Sequence, residues 1–176
     1  ELGDEVNQIH KKNLELTVAV DKNRVRGVKK ILEKHNKKII ILDDAHQHRR
    51  LGRDLNILVT EYDKLYSKDF LFPLGELIEC RSGAKRAQII VITKCPKNIT
   101  IEEKKIIKKN LSLNEGQSIF FSHIKEYKFI YNNNFTDINK NENYFLVTGI
   151  ANPKPLLKKL TTMKINYSHF PYTDHH

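Results

Sequence analysis

The run Ile39-Ile40-Ile41-Leu42, followed at once by Asp43-Asp44, constrains this chain more than any other stretch. Unbroken apolar character predicts a parallel strand over residues 38–42, covered on both faces. Its two acids then fall at the strand's carboxyl end, where open α/β sheets bind their ligands. A buried strand that delivers carboxylates there is the second element of a nucleotide-phosphate site, in which the acid holds Mg²⁺. Acids also end strands for no chemical reason, so the run alone leaves function open. The next residues, Asp43-Asp44-Ala45-His46-Gln47-His48-Arg49-Arg50 and then Arg53-Asp54, narrow it. Such a density of acids, imidazoles and guanidinium groups is costly to place without a ligand, and arginine forks suit phosphate oxygens. The plainer alternative is a charged loop of surface ion pairs.

The flanking segments predict an α/β layered fold. Residues 16–20 read as a short buried strand. Over residues 25–34, Val25, Val28, Ile31 and Leu32 share one helical face. Strand, helix and strand in succession suggest a βαβ crossover. Further strands are expected at 55–59 and 88–93, with a loop between them marked by Pro73 and Gly75. Thr100 and Glu103 form a capping box that opens a charged helix, with lysines crowding its C-terminal half. Strands are expected at 118–122, 127–131 and 144–148, and the polar stretch 132–143 reads as a loop. Pro153 and Pro155 open a last short helix.

Composition removes several function classes. The 176 residues fit one domain, or one with a small appendage. The net charge is +10, yet only seven of the 31 basic residues are arginine. The lysine pairs recur as solvated faces do, without the arginine and interleaved aromatics of nucleic-acid readers. An anionic membrane surface or a phosphorylated substrate fits the charge better than nucleic acid does. No apolar run approaches the roughly 20 residues of a membrane span. The acidic start, Glu1 to Glu5, is unlike a secretory leader, and a first residue other than Met predicts a start within a longer protein or after processing. Cys80 and Cys95 lack a CxxC pattern and read as two reduced thiols. None of the seven glycines precedes a lysine, so the phosphate-cradling motif Gly-x-x-x-x-Gly-Lys-Ser/Thr is absent from these residues.

Taken in order along the chain, several short pieces resemble the tetraacyldisaccharide 4'-kinase family of lipid A synthesis, in its Bacteroidetes-like form. They are Gly3-Asp4-Glu5, the strand ending in Asp43-Asp44 with Gln47-His48-Arg49-Arg50, Arg53-Asp54-Leu55, Phe72-Pro73-Leu74-Gly75 and Arg81-Ser82-Gly83. Thr93-Lys94-Cys95-Pro96, Thr148-Gly149-Ile150-Ala151-Asn152-Pro153 and Asp174-His175 complete the set. The resemblance implies a P-loop NTPase-like α/β fold, a parallel sheet flanked by helices, with a smaller β-containing C-terminal part. Residues 1–96 would be the remainder of the kinase core, and 97–176 a second part returning to the site at Asp174-His175. It implies transfer of the γ-phosphate of ATP to the 4'-hydroxyl of the lipid A disaccharide precursor, at the cytoplasmic face of the inner membrane.

The resemblance also implies residue roles. Asp4 would be the catalytic base and His175 its orienting partner. Asp43 and Asp44 would hold Mg²⁺, while Gln47, His48 and Glu79 would line the nucleotide or substrate cleft. A monomer is expected, without a nucleic-acid partner. This chain departs from the family at Ala45 and His46, where Gly and Phe are usual, and at Ile78, where Arg is usual. Lacking the phosphate-binding loop, the chain is expected to be an incomplete part of such an enzyme, inactive alone.

Two other readings stay open on the residues themselves. Asp43, Asp44, His46 and His48 with Asp174, His175 and His176 could form a two-metal phosphoesterase site, since imidazole and carboxylate suit Zn²⁺ or Mn²⁺. Alternatively the chain is a non-catalytic basic relic that docks on anionic lipid.

Overall fold

The computed structural model describes residues 4–125, 129–131, 134–150 and 152–173. The chain divides into two compact units, Glu1–Ile124 and Lys125–His176.

The first unit is built on a three-stranded parallel sheet in the order β1 (Ile57–Glu61), β2 (Ile89–Thr93), β3 (Ser118–Phe121). The register sets Leu58 beside Ile90 and Thr60 beside Ile92. On the other flank of β2, Ile90 meets Ile119 and Ile92 meets Phe121. Because side chains alternate along a strand, these residues share one face, and Ile90 and Ile92 are fully buried there. The helix α3 (Ile101–Leu111) connects β2 to β3 and completes the core with Ile107 and Leu111, joined by Leu65, Ala87 and Cys95. This is a βαβ crossover, formed by β2, α3 and β3, so α3 and β3, although beyond residue 96, belong with the sheet of β1 and β2. Thr100 caps α3 as expected: its hydroxyl accepts from Glu103 N at 3.1 Å, and Thr100 N donates to Glu103 Oε2 at 2.7 Å. The buried Thr60 hydroxyl donates to Lys64 O and accepts from Tyr66 N, which fixes the turn after β1.

The opposite face of the sheet is open. Ile57, Val59 and Phe120 lie on it, each more than half exposed. The expected strands at 16–20 and 38–42 do not form: neither segment joins a ladder, and Ile39 and Ile41 are 80% and 90% exposed. A strand needs a neighbour for its N–H and C=O groups, and β1, the nearest sheet edge in sequence, pairs only with β2. The helix between them does form. It is α2 (Arg24–Lys34), capped by Asn23, whose side chain accepts from Arg26 N, with Val25, Val28 and Ile31 half-buried and Leu32 exposed. A first helix, α1 (Asp4–Lys12), precedes it. The strand expected at 55–59 lies two residues later. Both cysteines are free, Cys80 exposed and Cys95 buried.

In the second unit, β4 (Phe129–Tyr131) and β5 (Asn134–Thr136) pair antiparallel. The polar stretch 132–143 is therefore partly strand, a hairpin arm rather than a pure loop. The strand β6 (Asn143–Thr148), helix α4 (Lys154–Thr162) and strand β7 (Asn166–Pro171) form a second parallel crossover. Pro155 occupies the first turn of α4, as predicted, and Leu160 and Ile165 are buried. The Thr148 hydroxyl and His169 Nε2 lie 2.9 Å apart across the paired strands.

Candidate functional site

Asp43 and Asp44 sit at the turn after the extended segment 38–42. Asp44 is in the left-handed region (φ 45°), a conformation that Asp tolerates better than most residues. Its N–H donates to Asp43 Oδ1 at 3.0 Å. Both side chains are exposed, and neither enters an ion pair among the described residues.

Directly after them the chain turns inward. Ala45 is buried, and Arg53 donates to its carbonyl oxygen. The His46 ring meets the segment 79–83: Nε2 is 3.0 Å from Gly83 O and 3.4 Å from Glu79 Oε1. Arg86 Nη2 donates to the same Glu79 oxygen at 2.5 Å and to His46 O at 3.1 Å. A cross-linked cluster of His46, Glu79, Gly83 and Arg86 thus holds the segment after the acids against the turn at Arg81–Arg86. Gly83 has no room for a side chain, since a Cβ there would lie 2.2 Å from Glu79 Oε1. Arg86 escaped the sequence reading. Its partners lie seven and 40 residues away, beyond any local spacing rule.

Gln47 and His48 line a cleft of about 1130 Å³ formed with α2 and the segment before it. Lys22, Arg24, Arg26, Lys29, Lys30, Arg49 and Arg50 also line it, against a single acid, Glu33. Among these, Arg26 donates a pair of bonds to the Asp21 carboxylate, at 2.8 and 2.7 Å. That guanidinium, helped by the Asn23 N–H, lowers the Asp21 carboxyl to a pKa of about 2. The excess of cations suits a polyanion carrying phosphate. Lys29 and Lys30, read from sequence as part of a solvated face, lie along this cleft. Glu79 does not line it; it belongs to the His46–Arg86 cluster.

Mg²⁺ is a hard cation that binds through one or two carboxylates together with water and phosphate oxygens rather than in an all-protein cage. The exposed, unpaired Asp43 and Asp44 fit that donor set. A two-metal cluster with histidine does not fit as well: His46 is engaged elsewhere, and the described residues contain no group of three metal-ligating side chains. The Asp4 backbone opens α1, while His175 lies outside the described residues. No helix among the described residues is long and apolar enough to cross a membrane.

The first unit is thus a parallel-sheet α/β structure with two exposed acids and a cation-lined cleft. The family model described as tetraacyldisaccharide-1-P 4'-kinase matches residues 1–176, and the chain belongs to that family. A tetraacyldisaccharide 4'-kinase of Flavobacterium johnsoniae is 43% identical over 180 residues, covering 99% of this chain and 52% of the relative. One of Bacteroides thetaiotaomicron is 36% identical over 190 residues, covering 99% and 50%. One of Porphyromonas gingivalis is 32% identical over 186 residues, covering 100% and 51%. The chain thus spans about half the length of the curated relatives it matches. No solved structure gives a significant match.

Proposed function

We propose that these residues are part of an ATP- and Mg²⁺-dependent kinase that phosphorylates the 4'-hydroxyl of the tetraacyldisaccharide 1-phosphate precursor of lipid A. The observation that carries this reading is the exposed pair Asp43 and Asp44, three residues before a cleft lined by seven cations. The family name supports the substrate class, and the parallel sheet is compatible with a P-loop NTPase-like core. Asp43 and Asp44 would hold Mg²⁺, which would supply neutralisation of phosphate charge. Gln47, His48 and the cleft arginines position anionic oxygens. Glu79 acts at one remove, fixing His46 and Arg86 behind the turn. Asp4 accepts the proton of the attacking hydroxyl, with His175 as its orienting partner. The 4'-oxygen forms the new bond to the γ-phosphorus, and ADP leaves. On this reading the phosphate cradle would come from polypeptide outside these 176 residues, and the reaction would run at the cytoplasmic face of the inner membrane.

The test is ATP-dependent labelling of the tetraacyldisaccharide 1-phosphate by the longer polypeptide that carries the Gly-x-x-x-x-Gly-Lys-Ser/Thr segment. Activity that falls by about 10²–10³-fold in Asp43→Ala supports the reading, in line with losing one charge-stabilising group. An active Asp43→Ala enzyme would overturn the role of that acid, and an inactive wild type the kinase reading itself.

A further inference from the structure

We propose that the loop of residues 69–78 inserts its apolar tip into the surface of an anionic phospholipid bilayer. This rests on the membrane-face reading above and names the part of the chain that makes the contact. Phe72, Leu74 and Ile78 are 80%, 86% and 78% exposed, a concentration of apolar surface on one short projection. The loop is closed on itself. Phe72 N donates to Leu77 O at 2.9 Å and Leu77 N to Phe70 O at 3.0 Å, while Leu74 N and Gly75 N both donate to Leu71 O. The Asp69 carboxylate accepts from Phe70 N at 2.7 Å and Glu76 N at 3.2 Å. Gly75 permits this closure, since a Cβ there would lie 2.3 Å from Phe70 O.

Internal pairing of backbone groups is what a segment entering lipid requires, because hydrocarbon offers no partner to an open N–H or C=O. The charges are arranged to match. Glu76 is paired with Lys64 at 2.9 Å, so it does not face a negative surface uncompensated. At the base of the loop Arg81 donates to Asp69 O at 2.7 Å and lies 5.1 Å over the Phe70 ring. Lys68, Arg81 and Lys85 are exposed and form no ion pair among the described residues. An apolar tip with cations that carry no ion pair near its base suits the boundary between acyl chains and anionic headgroups. The loop runs directly into Glu79, so insertion would hold the candidate site at the lipid surface.

The chain contains no tryptophan, so Phe72→Trp and Leu74→Trp each introduce a lone reporter, and Glu115→Trp on an exposed turn serves as the control. Vesicles of phosphatidylcholine with a quarter phosphatidylglycerol should blue-shift the two loop reporters and not the control. Acyl-brominated lipid should quench the loop reporters. Phe72→Ser with Leu74→Ser should lower vesicle binding at least about tenfold, with the circular dichroism spectrum unchanged. Folded loop reporters that do not shift would overturn the proposal. So would an emission already blue-shifted without lipid, or one that shifts with protein concentration, since the tip would then be covered by protein. Neither ATP nor the sugar lipid takes part, so failure here leaves the kinase reading standing, and an inactive kinase leaves insertion standing.

Discussion

Glu79 Oε1 accepts from Arg86 Nη2 at 2.5 Å, with both side chains about 70% removed from solvent. The pair therefore keeps part of its strength against screening, and removing one partner leaves the other poorly solvated. Arg86→Met should lower stability by about 1–3 kcal/mol. For a chain of this size that is a melting-temperature drop of roughly 2–12 °C. Thermal denaturation checks it; an unchanged midpoint would show that the pair is only a surface contact.

Gly83 should be coupled to the same carboxylate. In Gly83→Ala the new methyl would sit 2.2 Å from Glu79 Oε1 and 3.1 Å from Arg86 Nη1, so the ion pair must move. Most of that cost should vanish once Glu79 is Ala. A double-mutant cycle over the two positions should return a coupling of about 1 kcal/mol or more; additive effects would contradict the geometry.

The sheet's two faces should respond differently to truncation. Ile92→Ala empties a fully buried position and should cost about 2–5 kcal/mol. Ile57→Ala, on the open face, should cost less than about 1 kcal/mol. Denaturant midpoints of the two variants measure the contrast, and similar losses would mean that the second face is also packed.

Asp21 should titrate low. Its folded pKa, about 2, lies below the ordinary 3.8 because Arg26 donates to its carboxylate. A depressed acid stabilises the fold fully above its unfolded value and loses that contribution as pH falls through the folded one. The contact at the start of α2 should therefore persist at pH 4 and disappear as pH approaches 2. Carboxyl NMR should place the midpoint near 2. Arg26→Gln should return it toward the ordinary range.

Much of the first unit was legible because its signals are local. The apolar run at Ile89–Thr93 announces β2, and the Thr100–Glu103 box fixes where α3 begins. The run at 38–42 carried an equally strong strand signal, yet pairing is a property of the neighbour, and no described strand lies beside it. Short β5 was hidden by the asparagine run 132–134 at its start, and β7 by Ser168 and His169, which break the apolar pattern. Around the candidate site, Asp43 and Asp44 stood out by residue type and order, while Gln47 and His48 were singled out through the family resemblance. The turning of His46 toward Gly83 and the part played by Arg86 could not, because both depend on contacts some 40 residues distant.

The open sheet face has a consequence for handling this protein. Ile57, Val59 and Phe120 offer a sticky patch, while a net charge of +10 keeps molecules apart in dilute buffer. Added salt shortens the range of that repulsion to about 8 Å at physiological strength and leaves the apolar attraction intact. Colloidal stability therefore runs opposite to that of a protein held together by surface charge. Salt should promote clumping here, and low ionic strength should keep the preparation clear.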